Sequence, residues 1–350
     1  MPLVAEQYSH VIGADTHART HSYAVIETVT GRLTAQSTFP ASVAGIRRAL
    51  AWIDRTAPGE VLAAVEGTGS YGANLHAALR EAGIPVIEAR PPKRTDRLRG
   101  KSDAIDAEAA ARSVLGRQTH LLATPREGKT RSALRVLLAA RRGMDSQRTA
   151  DRNALTALLR SVDLGVDARR PLSDRRVQEI TAWRVHPTDD LEQDIARTEA
   201  IRLARSVITL TGQLRENLEN LRRHSMALAP GLLDKPGVGP FTAAVFLTAW
   251  SHPGRVRSEA AFATLAGAAP IPASSGNTIR HRLDRHGDRQ LNRALDVVAR
   301  SRLATDPETK AYAAKRQAEG NSMREIRRLL RRYIARQIFR ELKASHTPTT

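Results

Sequence analysis

Acidic residues stand at three places in the first third of the chain where they could meet around a metal ion. Asp15 ends an apolar run that begins at Tyr8, and Glu66 follows a second such run. Asp103 and Asp106 lie three residues apart at the start of an alanine-rich helical pattern, so one face of the helix presents both. Hard cations such as Mg²⁺ need oxygen ligands that converge from separate elements. The pattern indicates a site for two divalent cations and an enzyme that processes phosphodiesters.

Each of these residues also has a structural interpretation. Carboxylates are common at strand ends, Asp103 could complement the dipole of its helix, and Asp106 could be a solvated surface residue. Two histidines, His17 and His21, offer a competing ligand set, but they flank a turn and lack the spacing of a zinc site. The segment Gly67–Gly72 lacks the Gly-Lys-Ser/Thr ending of a phosphate-binding loop, which favours a turn. On the residues alone, the metal site and the structural role stay open.

A second group of reactive side chains lies in the last third of the chain. Ser274 and Ser275 precede Gly276 in a segment whose composition indicates a loop. Arginines near a serine hydroxyl suit nucleophilic attack on a phosphodiester, because they bind non-bridging oxygens and stabilise developing charge. An ordinary Ser-Ser-Gly turn is the alternative. The arginines that follow the serines are Arg280, Arg282, Arg285, Arg289 and Arg293.

The charge of the chain indicates a nucleic-acid partner. Its 350 residues include 55 Lys and Arg against 36 Asp and Glu, a net charge of +19. The excess is uneven, since residues 276–343 contain 18 basic and 8 acidic residues. A protein this basic is expected to bind a polyanion, and nucleic acid is the usual one.

The composition also excludes several kinds of site. The chain has no cysteine, so disulfides, thiolate zinc sites and cysteine nucleophiles are ruled out; this fits a reducing cytoplasm. The first ten residues lack the pattern of a signal peptide. No apolar run approaches the roughly 20 residues that a membrane helix needs. We therefore expect a soluble intracellular protein.

The first third of the chain is predicted to alternate strands and helices in the order β-β-β-α-β-α-β-α, which implies a mixed sheet with helices packed on it. Ser102 is expected to cap the helix that carries the carboxylate pair. The predicted strands are Tyr8–Asp15, His21–Glu27, Arg32–Phe39, Val61–Val65 and Ile84–Ala89, with helices at Ser42–Arg55 and Ala73–Ala82.

The remainder is predicted to be mostly helical. A polar linker at 116–129 precedes a basic helical pattern from Thr130 to Arg160, then an irregular segment at 163–190, then a long helix from about Leu191 to Leu228. These two long helices suit an antiparallel hairpin or a coiled coil. The heptad-like seam of the second consists of Ile201, Ile208, Leu214, Leu218 and Leu221.

The segment Lys235-Pro-Gly-Val-Gly-Pro-Phe-Thr-Ala has the pattern of a helix–hairpin–helix turn. In such a turn Gly237 and Gly239 would bring backbone N–H groups to a phosphate at the start of the next helix. An ordinary glycine-rich connection between helices is the alternative.

These motifs together resemble the insertion-sequence DEDD transposase family, whose members act as bridge-RNA-guided recombinases. The resemblance covers nearly the whole chain. Val11-Ile-Gly-Ala-Asp-Thr-His, Ala64-Val-Glu-Gly-Thr-Gly and Lys101-Ser-Asp-Ala-Ile-Asp-Ala are similar to the family's RuvC-like domain. Pro236-Gly-Val-Gly-Pro, Ala269-Pro to Ser275-Gly276 and Gly287-Asp288-Arg289 are similar to its transposase domain.

The resemblance implies three domains. They are an α/β RuvC-like domain of RNase H fold at 1–117, a helical hairpin or coiled-coil region at 128–228, and a mostly α transposase domain with the helix–hairpin–helix and the serine loop at 229–345.

The resemblance also implies the roles of the site residues. Ser275 would be the nucleophile, with Ser274 as a one-residue alternative. Many members have Val-Ser-Lys after the first aspartate, whereas this chain has Thr16-His17-Ala18, so a role for that lysine is not transferable. Catalytic and Mg²⁺-binding roles in a two-ion site fall to Asp15, Glu66, Asp103 and Asp106, and nucleic-acid contacts to Lys101, Gly237, Gly239 and the five arginines named above.

The function that the resemblance implies is a site-specific DNA recombinase of an insertion sequence, which cuts and rejoins DNA through a serine–phosphate intermediate. Its partners would be donor and target DNA, a noncoding bridge RNA, and copies of itself as dimers that pair into tetramers, in a bacterial cytoplasm at the nucleoid. Two alternatives stay open: a RuvC-like junction nuclease that uses water as nucleophile, and a nonenzymatic nucleic-acid-binding protein.

Overall fold

A mixed five-stranded sheet forms the centre of the N-terminal part of the chain. The computed structural model describes residues 2–89, 102–184, 186–272, 281–282 and 287–346, and divides into two compact units, Met1–Arg126 and Glu127–Thr350. The strands are β1 His10–Thr16, β2 Thr20–Glu27, β3 Leu33–Pro40, β4 Val61–Val65 and β5 Val86–Glu88. The helices of this unit are α1 Val4–Gln7, α2 Val43–Thr56, α3 Ala73–Glu81 and α4 Asp103–Arg112.

The strands are ordered β3-β2-β1-β4-β5. The pairs β1–β2 and β2–β3 are antiparallel, whereas β1–β4 and β4–β5 are parallel. The prediction of a mixed α/β sheet is confirmed, and this topology is consistent with a RuvC-like, RNase H-like domain. Predicted strand ends were off by about two residues, because the strand predicted from Tyr8 starts at His10 and the one predicted from Ile84 starts at Val86.

The two faces of the sheet are covered by different helices, as the alternation of side chains along a strand requires. Ile12 and Ala14 of β1 pack in the core on the side of α2 and α3. Val11, on the opposite face, packs against Ala110 and Ala111 of α4. Asp15 therefore shares the face of Val11, the one that α4 covers.

Gly13 sets how closely α4 approaches the sheet. A Cβ atom added at Gly13 would lie 1.8 Å from the carbonyl oxygen of Ala107 and 2.8 Å from the amide nitrogen of Ala111. The backbone of α4 therefore rests directly on β1, an approach that only glycine permits at this position. This contact places the first turn of α4 above the end of β1, where Asp15 lies.

The second unit is helical and begins with two long helices, α5 Lys129–Ser161 and α7 Leu191–Leu228. They run antiparallel, since Asn217 donates a hydrogen bond to the carbonyl oxygen of Leu137 (3.0 Å) while Ser206 donates to Asp151 (2.6 Å). The segment between these two helices was predicted to be irregular throughout, and this prediction is wrong at one point. Residues Asp174–Thr181 form a short helix, α6, whose apolar face is buried against this pair.

Shorter helices complete the second unit around one apolar core. None of the helices in the described part of the chain combines the length and the apolar character that a bilayer crossing requires. The elements are α8 Pro240–Trp250, α9 Glu259–Leu265, the two-residue strands β6 Ile271–Pro272 and β7 His281–Arg282, α10 Arg289–Thr305, α11 Pro307–Ala318 and α12 Met323–Ala344.

Candidate functional site

Two neighbouring strands position Asp15 and Glu66 at the same edge of the sheet. The amide N–H of Glu66 donates to the carbonyl oxygen of Ala14 (3.0 Å), and the hydroxyl of Thr16 donates to the carbonyl oxygen of Glu66 (2.8 Å). These two bonds hold the residue after β4 beside the end of β1. In the parallel register of the two strands, Asp15 and Glu66 lie on the face covered by α4.

The first turn of α4 brings Asp103 to the same place. The Ser102 hydroxyl accepts a hydrogen bond from the Ile105 amide (3.3 Å), which confirms the predicted N-cap. An Oδ1 atom of Asp103 lies 3.5 Å from Nε2 of His17, and the same nitrogen lies 3.0 Å from Oδ2 of Asp15. The Asp15 side chain is 8% exposed and that of Asp103 is 52% exposed. Asp15 therefore lies at the buried side of the site, and Asp103 lies at its solvent-exposed side.

The carboxylates of this cluster influence one another's charge. Burial raises the pKa of Asp15, and the negative charges of Asp103 and Asp106 raise it further, against the opposing effect of His17. Asp106 therefore belongs to the same electrostatic neighbourhood, although it is not part of the group whose ligand atoms all lie within 4.8 Å of one another. A cation bound here would relieve this repulsion, since it would favour the ionised form of Asp15.

The ligand atoms of Asp15, His17 and Asp103 all lie within 4.8 Å of one another. Such a group fits a single divalent cation. The two histidines that the sequence grouped together separate here: His21 is buried, pairs in register with Thr16 on the opposite face, and has its ring nitrogen 3.1 Å from the carbonyl oxygen of Thr20. His17, which sequence reasoning set aside, joins the acidic cluster; the available signal was its position two residues after Asp15.

The predicted serine site falls largely outside the described residues. Ser274, Ser275, Arg280, Arg285 and Lys101 lie there, and Arg282 is placed by its backbone in β7.

The segments on either side of the serine region do meet. A Cβ atom added at Gly287 would lie 2.2 Å from the amide nitrogen of Gly267. The Asp288 amide donates to the carbonyl oxygen of Leu265 (2.7 Å), and the Asn292 amide group donates to that of Ala266 (2.6 Å). The residues before and after the serine region therefore meet at one point, where α9 ends and α10 begins.

An arginine cleft of about 600 Å³ opens at this point between α10 and α12. Four of its arginines, on α12, follow the i, i+3, i+4, i+7 spacing of one helical face, a signal the sequence offered. The residues that define this arginine cleft are Arg289, Arg293, Arg324, Arg327, Arg328 and Arg331, with Asp296, Asn292, Ala266, Gly267 and Gly287.

The arginine cleft has a strong positive charge. Arg327 donates two hydrogen bonds to Asp296 (2.6 and 2.7 Å), the only acidic residue among the described lining residues. Burial lowers the pKa of Arg331, and the neighbouring Arg327 and Arg328 lower it further, against the opposing effect of Asp296. Guanidinium groups crowded in this way favour a bound anion such as a phosphate.

The predicted helix–hairpin–helix glycines are fixed by packing within the core. Gly237 has φ +73°, and a Cβ atom there would lie 3.1 Å from the carbonyl oxygen of Val298. The Gly239 amide donates to the Thr242 hydroxyl (3.0 Å), and Arg302 donates to the carbonyl oxygen of Pro236 (2.7 Å). Close packing on α10 is therefore sufficient to explain Gly237, and phosphate binding by these amides stays a prediction.

Two segments of the chain match models of related transposase domains. A profile of DEDD transposases of the IS110 type matches residues 12–163, and one described as transposase of the IS116/IS110/IS902 family matches residues 230–314. The first profile covers the acidic cluster, and the second includes the serine region and α10.

Two curated relatives come from insertion elements. The 43.6 kDa protein of IS110 from Streptomyces coelicolor is 33% identical over 135 residues, and the 42 kDa protein of IS900 from Mycobacterium paratuberculosis is 32% identical over 139 residues. Each alignment covers 37% of this chain and 33% of the relative, so the chain matches about a third of each relative's length. With both family profiles matched in order along it, the chain contains the two domains that characterise transposases of the IS110 type.

Proposed function

We propose that the protein is the transposase of an insertion sequence, a recombinase that cuts DNA strands and rejoins them to new partners. The observation that carries the proposal is the convergence of Asp15, His17 and Asp103 within 4.8 Å, in a unit that matches the DEDD transposase profile. Each residue comes from a different place in the fold: the end of β1, the following turn and the first turn of α4.

The residues at this cluster fit a divalent metal ion, because three ligand atoms converge and their carboxylates repel one another. Asp15, Glu66, Asp103 and Asp106 would hold Mg²⁺, as one ion or two. The bound metal would polarise the scissile phosphate and stabilise charge on the leaving 3′ oxygen. The chain itself orients the ligands through the Ser102 cap and the Thr16–Glu66 hydrogen bond.

Ser275 would act as the nucleophile. Its hydroxyl oxygen would form a bond to phosphorus while the bond from phosphorus to the 3′ oxygen breaks. The serine would lose its proton and the leaving 3′ oxygen would gain one, so that the product is a free 3′-hydroxyl. The resulting 5′-phosphoserine link conserves the energy of the phosphodiester, so a 3′-hydroxyl from another strand could reverse the step and join to it.

Sequence choice would be left to base pairing between DNA and a bridge RNA. Only 4% of the residues are aromatic, so few side chains can stack on bases. The positive charge of the chain instead suits recognition of nucleic-acid backbones. The protein would act as dimers that pair into tetramers, with the acidic site of one subunit completing the serine site of another.

The arginine cleft would bind phosphates near the scissile one. It lies where α10 begins, at the end of the segment that carries Ser275. The sequence prediction that Arg289 and Arg293 contact nucleic acid becomes a proposal about this cleft, extended to the four arginines of α12.

Reversing the charge of two exposed cleft residues is expected to weaken DNA binding in a salt-dependent way. In the double variant Arg324→Glu, Arg328→Glu, the slope of log Kd against log salt should fall by about 2, since each phosphate contact contributes about 0.9. Fluorescence anisotropy with a labelled duplex across a KCl titration measures this slope. The matched control is the double variant Arg169→Glu, Arg175→Glu, which changes the net charge by the same amount at side chains that are 87% and 90% exposed. An equal loss in both variants would show that only overall charge matters.

The proposed function itself is tested by reconstitution. Purified protein is combined with Mg²⁺, donor and target duplexes, and RNA transcribed from the flanks of the reading frame. Recombined DNA is expected only with RNA that pairs with both duplexes, and RNA with scrambled pairing loops serves as the control. Cut but unjoined products that form without RNA would instead identify a junction nuclease, and binding without cutting would identify a nonenzymatic protein.

A further inference from the structure

His17 occupies the centre of the acidic cluster, although the carboxylates alone define the DEDD motif. Its Nε2 atom lies 3.0 Å from Oδ2 of Asp15 and 3.5 Å from Oδ1 of Asp103. The contact with Asp15 is a hydrogen bond between the ring N–H and the carboxylate. A cation that took the place of this proton would meet the same nitrogen and both carboxylate oxygens. The ring therefore belongs to the site by geometry.

The backbone fixes His17 in this place. Its amide N–H donates to the carbonyl oxygen of Thr20 (3.1 Å) and closes the turn between β1 and β2. Because Asp15 is held in β1 and Asp103 in the capped first turn of α4, the backbone positions that carry all three donors are fixed. A ligand set built on such positions is preorganised for its ion.

The distances agree with the coordination of one ion. Ligands about 2.1 Å from a metal and at right angles to each other lie about 3.0 Å apart. The observed separations of 3.0 and 3.5 Å are close to this value, and all three donor atoms lie within 4.8 Å. Small side-chain rotations suffice to close the difference, since the His17 side chain is 52% exposed.

We propose that His17 is a nitrogen ligand of the metal ion and gives the site a preference for Mn²⁺ over Mg²⁺. This inference rests on the proposed function, because it concerns the same metal site. Mn²⁺ and Mg²⁺ both suit a site made of carboxylates, but Mg²⁺ keeps an all-oxygen shell with several waters, whereas Mn²⁺, a first-row transition ion, exchanges an oxygen ligand for a nitrogen ligand more readily.

Electron paramagnetic resonance of bound Mn²⁺ tests the proposal on the full-length protein. Spin-echo modulation from a coordinated ¹⁴N is expected in the wild type and should be absent in His17→Gln. In the same variant the Kd for Mn²⁺ should rise about tenfold or more, while the Kd for Mg²⁺ should change less than about threefold. The exposed His120, in the same unit, provides the matched control His120→Gln, which should keep both the modulation and the affinities.

Two further variants make every outcome informative. His17→Asp, which offers oxygen in place of nitrogen, should bind Mn²⁺ without ¹⁴N modulation and shift the preference toward Mg²⁺. Persistence of the modulation in His17→Gln, or an equal loss of both metals, would overturn the role of His17. If Asp15→Asn still binds Mn²⁺ as the wild type does, the acidic cluster is not the metal site and the proposed function fails as well. Loss of binding in Asp15→Asn with unchanged His17→Gln would refute only the present inference.

Discussion

Replacing Asp15 by asparagine is expected to abolish DNA cleavage and, at the same time, to make the protein more stable. The side chain is 8% exposed, and burial, followed by Asp103 and Asp106, raises its pKa. The folded state therefore favours the protonated carboxyl more than the unfolded state does. Ionised Asp15 opposes folding, and this cost is relieved in an amide of the same shape.

The raised pKa of Asp15 determines how the difference in stability between the wild type and the asparagine variant depends on pH. Below the unfolded pKa of about 3.9 both states bind the proton, so Asp15 and its asparagine variant should unfold at similar temperatures. As pH rises toward the raised folded pKa, the wild type loses stability relative to the variant, and the difference stays constant above that pKa. Thermal unfolding in EDTA from pH 3.5 to 8 measures this difference.

The rate of DNA cleavage should fall in Asp15→Asn, although the stability of the protein rises. A metal ion that polarises the phosphate contributes several kcal/mol, so losing a buried ligand should slow cleavage by roughly a thousandfold or more. The control is Asp54→Asn on α2, an exposed aspartate that should change neither stability nor rate. Cleavage at the wild-type rate in Asp15→Asn, or lower stability across the whole pH range, would contradict the assignment of Asp15.

The sheet of the first unit could be predicted from sequence because its signals are local. Apolar runs such as Val61–Val65 end at polar residues, and a strand buried on both faces reads as such a run. The position of the carboxylates at strand ends followed from the same runs. Ser102 as a cap also needed only local information.

The parts that escaped prediction depend on tertiary contacts. His17 lies in a turn without periodicity, and it meets Asp103 only because Gly13 allows α4 to rest on β1. The predicted seam of α7 is partly right, because Leu214 and Leu221 are buried. Toward the start of the helix it is wrong, since Ile201 and Ile208 are half-buried whereas Leu203 and Val207 form the buried face. A heptad pattern gives the period of a helix, but the packing partner selects which neighbouring stripe is covered.

Replacing Ser275 by alanine is expected to eliminate the covalent protein–DNA adduct. The proposed step attaches the serine to the 5′ phosphate, so a label at the 3′ end of a nicked or junction substrate stays with the protein on a denaturing gel. Removing a nucleophile that acts together with its site should lower adduct formation by about 10⁴-fold or more. Ser274→Ala is the matched control one residue away and should keep adduct formation within about threefold of the wild type.

The pattern across the serine and aspartate variants separates a recombinase from a junction nuclease. A recombinase should lose the adduct in Ser275→Ala, and it should also lose the adduct in Asp15→Asn, because attack at the phosphate requires the metal site. A junction nuclease should still cut DNA without Ser275 and fail without Asp15, since water replaces the serine. If Ser274→Ala alone removes the adduct, the nucleophile is the neighbouring serine and the mechanism stands with one residue reassigned. If Ser275→Ala still forms the adduct and Ser274→Ala does too, neither serine is the nucleophile, and the composite serine–metal mechanism is refuted.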